Sequence, residues 1–145
     1  MRKERNTSSL QFKSFGLALQ ALVVLARTGG ICPSCDIAQC LHSEPTLLRR
    51  ILVKLVRGRI LETREGRDGG YSLNKPADQL TLAEVYLALE VGEAQTRAVL
   101  DTTCSNAFGL QMQERLAGVM GEIDRSVLER LNKYTLADLA VENDD

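Results

Sequence analysis

Three glycines in five residues, Gly66, Gly69 and Gly70, lie between two short segments, Ile60-Leu61-Glu62-Thr63-Arg64 and Tyr71-Ser72-Leu73. Glycine enters positive φ without steric cost, and its bare backbone can approach another surface closely. The stretch therefore predicts a β-hairpin whose turn presents backbone to a partner. A hairpin this small cannot stand alone, so the elements before it must supply the core.

Those elements read as helices. Leu17 to Ala26, preceded by Phe12 and Phe15, is apolar on more than one face and predicts a buried helix that Gly29-Gly30 stops. Cys32-Pro33 opens a second, short helix with Pro in its first turn and Ile37, Ala38 and Leu41 on its core face. His42-Ser43-Glu44 is the turn, and Pro45 starts a third helix through about Arg57. Leu48, Leu52 and Leu55 face inward there, leaving Thr46, Arg49, Arg50 and Lys54 outside. Two short helices about a tight turn make a helix-turn-helix, and the hairpin behind them makes a wing.

Thr81 caps a fourth helix, with Glu84 completing a capping box, that runs to about Glu90. An irregular stretch is expected from Gly92 to Ser105. Then Leu116, Met120, Ile123, Val127, Leu131 and Tyr134 recur every three or four residues in one long amphipathic helix. Its span of about 25 residues, roughly 40 Å, exceeds what this core can cover, so the stripe from Leu116 to Leu131 is read as a dimer seam. The fold class expected is mostly α with a small β-hairpin wing: a winged helix-turn-helix at 1–90, then a sensing loop and long C-terminal dimerisation helix at 91–145.

Charge divides the chain in the same place. Residues 1–75 hold 13 Lys+Arg against 6 Asp+Glu, and residues 76–145 hold 5 against 13. A basic half suits a phosphate backbone, because neutralising phosphates releases condensed counterions, while an acidic half repels DNA. Within the basic half, Arg49 and Arg50 are placed to meet guanine edges, and Lys54 to meet phosphate. Ser43 and Thr46 sit at a helix N-terminus whose amides favour phosphate. Arg67 at the wing tip, flanked by Arg64, suits a narrow minor groove, and Gly69 and Gly70 allow close backbone approach. Against this stands the plainer reading that these arginines only solubilise the surface.

The four cysteines pose a separate question. Cys32-Pro33-Ser34-Cys35 at a helix start, extended by Cys40 and His42, suggests a lowered thiol pKa, an internal disulfide or a metal site. A thioredoxin-like oxidoreductase would need a strand before the motif, and here a helix and two glycines precede it. About 140° separates Cys35 from Cys40 around a helix, which opposes convergence on a metal. Inert thiols, redox sensing and metal or iron–sulfur binding by Cys32, Cys35 and Cys40 all stay open, and the sequence names no cofactor. The apolar run from Leu17 is short for a bilayer and no cleavage site follows, so a reducing cytoplasm and no membrane partner are expected. No Ser-His-Asp set, phosphate loop or paired carboxylates stand out, and one histidine leaves little for general-base chemistry. The chain is not read as an enzyme.

From Leu17 to about Glu90 the sequence resembles the Rrf2 family of bacterial winged-helix regulators, with its IscR, NsrR and CymR types. The residues that carry the resemblance are Leu17-Ala18-Leu19, Ala21-Leu22, Leu25-Ala26, Ile37-Ala38, Leu52, Lys54-Leu55, the wing residues Gly66, Gly69-Gly70-Tyr71 and Leu73, and Leu80-Thr81-Leu82 with Val85. Thr135-Leu136-Ala137-Asp138-Leu139 extends it more loosely. The resemblance implies a transcriptional regulator, most simply a repressor, that dimerises through its long helices on operator DNA and carries a sensing loop between its fourth and fifth helices. Cluster-binding members hold three cysteines in that loop, whereas here Gly92 to Ala107 contains Cys104 alone, and Ala107 stands where the IscR type has histidine. One thiol is too few for a loop iron–sulfur cluster. Arg49 and Leu47 replace a glutamate and a tyrosine of the IscR type, and Glu65 an arginine usual in the wing, which implies a different operator.

Overall fold

A computed structural model describes residues 2–142, with side chains from Leu10 onward. Seven helices and one hairpin follow in the order α1 (Arg2–Thr28), α2 (Ser34–Leu41), α3 (Pro45–Arg57), β1 (Leu61–Arg64), β2 (Gly70–Leu73), α4 (Leu82–Ala88), α5 (Val91–Leu100), α6 (Ala107–Leu131) and α7 (Leu136–Ala140). The mostly helical architecture with a two-stranded wing is the one read from the sequence.

Helix α1 is the spine. Its stretch Leu10–Thr28 is long and apolar enough, by length and composition, to cross a bilayer, which the shorter run from Leu17 concealed. Of its side chains, Ala18, Ala21, Leu22 and Leu25 are buried in the protein's own core. Around them pack Ile37, Leu48, Leu52, Leu55, Leu80, Val85, Leu89, Val91 and Leu136. Each fully buried leucine contributes about 1.5–3 kcal/mol relative to exposure. Because Val91 and Leu136 belong to this cluster, and α5 and α7 both pack on α1, one core crosses residue 90.

Three stretches differ from the sequence reading. The segment expected to be irregular contains α5, set off from α4 by Glu90 in the left-handed region at φ 56°. Gly92 and Thr96 are weak helix formers, but buried Val91 and Ala94 hold the helix against its neighbours, so packing outweighs propensity. Helix α6 begins earlier than the stripe, at Ala107, because Asn106 caps it by accepting the Gly109 N–H at 2.7 Å. It ends at Leu131, which leaves Tyr134 in an extended link whose carbonyl accepts the Leu82 N–H at 3.0 Å. The Leu136 N–H in turn bonds the Leu80 carbonyl at 2.8 Å, and Thr135 with Asp138 forms the capping box of α7.

Tyr86 ties the two halves together. It lies edge to face on Phe15 of α1, with ring centres 5.6 Å apart, and its hydroxyl donates to Asp124 Oδ1 of α6 at 2.9 Å. Burial, then the Asp124 carboxylate, pushes its phenol up to about 12, so it stays a neutral donor.

Candidate nucleic-acid interface

The wing and the helix pair are joined through backbone. Cys32 and Tyr71 exchange both N–H···O bonds at 2.9 Å, which adds a third strand position to the hairpin just before α2. Gly70, at φ 151°, lies against this crossing, and a Cβ there would stand 2.5 Å from the Cys32 carbonyl oxygen. The hairpin pairs Leu61 with Leu73 through Arg64 with Gly70, and the Gly69 N–H closes the turn on the Gly66 carbonyl at 3.1 Å. Gly69 and Gly70 thus shape the wing and seat it on the protein's own chain. Arg64 and Arg67 are exposed at its tip, beside equally exposed Glu65 and Asp68. The tip carries no excess of positive charge.

Pro33 stands at the N-cap of α2, one residue before the helix rather than inside its first turn. Ile37 and Ala38 are buried, and His42 in the left-handed conformation, φ 52°, ends the helix and turns the chain. Ser43 is half-buried, and its hydroxyl oxygen is enclosed with no hydrogen-bond partner among the described residues. On α3, Leu48, Ile51, Leu52 and Leu55 face the core, while Thr46, Arg49 and Arg50 are exposed and Lys54 is partly covered. Arg57 and Arg59 extend this basic face beyond the residues singled out from sequence. Arg59 owes its position to a left-handed backbone, φ 61°, that periodicity does not reveal.

The N-terminus of α3 is already occupied. Glu44 Oε1 accepts the Thr46 N–H at 3.0 Å and Oε2 the Leu47 N–H at 2.9 Å. The amides expected to attract phosphate beside Ser43 and Thr46 therefore serve a carboxylate of the chain itself. Those two amide bonds hold the Glu44 pKa below its ordinary value, so the ionised cap is present at neutral pH and lost only as pH falls through that lowered pKa. A legible signal existed: an acidic residue directly before a proline at N1 is a capping position.

The thiols differ in exposure. Cys32 is buried, 7% exposed, and burial first, then Asp36, raises its pKa. This reverses the lowered pKa expected at a helix start, because the residue points into the core beneath the wing. Cys35, Cys40 and Cys104 are exposed. Alkylation of the native protein should modify these three rapidly and Cys32 only on unfolding, as mass spectrometry of a labelling time course will show. Cys32 labelling at the rate of the others contradicts the burial described here.

A second surface lies on α6. Val127, Leu128 and Leu131 pack against the core, whereas Leu116 and Met120 are half-buried and Ile123 is 50% exposed. Phe108, 69% exposed, and Val119, 51% exposed, lie on the same side and were not part of the stripe read from sequence. Phe108 precedes Val119 by eleven residues and Val119 precedes Ile123 by four, spacings that keep them on one face. Between α1 and α6 runs a groove of about 230 Å³ lined by Phe12, Met120, Ile123 and Val127.

Comparison with known proteins decides the lineage. The model of the Rrf2 family, described as iron-dependent transcriptional regulators, matches residues 13–142. The chain belongs to the Rrf2 family. A relative from Lactococcus lactis, named as a candidate HTH-type transcriptional regulator, is 27% identical over 130 residues, covering 86% of this chain and 83% of its own. Another so named, from Mycobacterium tuberculosis, is 30% identical over 125 residues, covering 85% and 76%. Among solved structures, a transcriptional regulator candidate from Lactobacillus plantarum superposes with TM-score 0.69 at 23% identity, over 87% of this chain and 86% of that one. CymR of B. subtilis, titled the global cysteine regulator, does so with TM-score 0.63 at 21% identity, over 90% and 95%. This Rrf2 protein is a transcriptional regulator with a winged-helix DNA-binding fold, not an enzyme.

The iron in the family description finds no fitting donor set among the described residues. Cys104 is the one thiol in the α5–α6 connection, and among the described residues no three His, Cys, Asp or Glu side chains are grouped to hold a metal. Cys35 and Cys40 lie near enough to Cys32 to help raise its pKa, but among the described residues the three form no group that could hold a metal, one being buried and two exposed.

Proposed function

We propose that this regulator is a cytoplasmic homodimer that reads a pseudo-palindromic operator and acts as a repressor. The observation that carries the DNA reading is the exposed face of α3, where Thr46, Arg49 and Arg50 stand on a helix that Leu48, Ile51, Leu52 and Leu55 anchor in the core. A rigidly seated helix presenting two arginines suits bidentate contact with guanine in the major groove. Lys54, Arg57 and Arg59 continue toward phosphate, and the wing carries Arg64 and Arg67 to the neighbouring groove. Dimerisation is supported by the uncovered apolar face of α6, Phe108, Leu116, Val119, Met120 and Ile123, continuous with the groove at Phe12. Occupation of an operator by such a dimer blocks polymerase, which gives repression its simplest route. The thiols placed to couple oxidation to DNA binding are Cys35 and Cys40, exposed on the helix before the reading helix.

The test is a pair of single substitutions. Arg49→Ala and Arg50→Ala should each weaken a duplex enriched from a random library by about 1–3 kcal/mol, and relax sequence preference at one position per half-site. Titrations in which both variants bind that duplex as wild type does would remove α3 from the reading role.

A further inference from the structure

Glu44 puts a negative charge where a reading helix ordinarily offers a positive end. Both its oxygens are bonded to α3 amides, Thr46 at 3.0 Å and Leu47 at 2.9 Å, and the side chain is exposed. It stands at the end of the face that carries Thr46, Arg49 and Arg50, with Arg49 near enough to favour its ionised form. A helix N-terminus attracts the phosphates of any DNA sequence, and phosphate contacts carry affinity without specificity. Here that attraction is cancelled from within the chain, while Pro45 at N1 removes a further N–H donor.

We infer that Glu44 is a specificity-determining residue: by capping α3 with a carboxylate it excludes phosphate from the helix end and weakens binding to DNA at large relative to the operator. The inference rests on α3 being the reading helix. Base contacts by Arg49 and Arg50 lie further along the helix and persist in its presence. The cost of a carboxylate near the backbone falls on every sequence, and only an operator that sets a base-edge donor against Glu44 itself offsets it. Each Glu44 oxygen also keeps a second acceptor site, which suits a cytosine amino group at the major-groove edge.

The experiment compares two duplexes of equal composition, one enriched from a random library by the wild-type protein and one scrambled, over a salt series. Glu44→Gln and Glu44→Ser keep an oxygen to cap α3 but remove the charge. Both should bind the scrambled duplex about fivefold more tightly than wild type, with a salt dependence steeper by roughly one phosphate contact. The enriched duplex should gain less, so the preference between the two narrows. Glu44→Asp, which keeps charge and cap, should retain the wild-type preference. A merely structural cap would weaken both duplexes together and lower thermal stability, and that outcome overturns the inference. So does unchanged binding of the scrambled duplex by Gln and Ser variants that melt as wild type does. In either case Arg50→Ala still weakens the enriched duplex selectively, which preserves the α3 reading. Loss of that Arg50 effect overturns the reading, and the inference with it.

Discussion

Replacing Gly70 by Val is expected to destabilise the protein by about 2–4 kcal/mol, lowering Tm by roughly 10 °C. Two costs combine. Backbone at φ 151° lies in a region that a β-branched residue does not adopt, and the new Cβ would collide with the Cys32 carbonyl oxygen 2.5 Å away. Relief requires breaking the paired Cys32–Tyr71 bonds, which frees the wing from the chain entering α2. DNA affinity should fall along with stability, because wing and reading helix lose their fixed relation. Gly30→Ala is the control: nothing lies within 4 Å of a Cβ there. Calorimetry showing equal melting of the two variants would contradict the proposed seating of the wing.

Much of this was legible in the chain. Periodicity located α3 and its buried leucines, Thr81 and Glu84 announced α4, and the spacing of Gly66, Gly69 and Gly70 announced the wing. What periodicity missed depends on tertiary contact. Helix α5 lacks a clear apolar period and carries Gly92 and Thr96 among better helix formers, and buried Val91 and Ala94 hold it against its neighbours. Cys32 looked reactive at a helix start, but direction decides reactivity, and its side chain points inward. Tyr134 continued the α6 stripe in spacing alone, since Asn132 already ends the helix. On α3, the exposure of Arg49 and Arg50 could be read from the pattern of the helix. The occupation of its N-terminus by Glu44 was readable in principle from Glu44-Pro45, and Arg59 was not, because a left-handed non-glycine residue has no local signature.

If the proposed dimer forms through α6, Ile123→Asp should convert it to monomer and lower affinity for the enriched duplex by about 100-fold or more. A charge at position 123, one turn from exposed Val119, would be desolvated without a partner across the proposed seam. Once protomers separate, each half-site must be bound alone, and the gain from effective concentration is lost. The monomer should still fold, since Ile123 is half exposed and Val127, Leu128 and Leu131 retain the packing of α6 on the core. Sedimentation velocity reporting a soluble dimer for this variant would place the seam elsewhere.

The measurement closest to the central claim is a footprint and stoichiometry of the wild-type protein on DNA enriched from a random library. Two protomers per duplex should protect two inverted half-sites about 10 base pairs apart, or a multiple of that, with a marked preference over scrambled sequence. Failure of any sequence to enrich, or one protomer protecting a single asymmetric site, would contradict a dimer reading its operator through paired copies of α3.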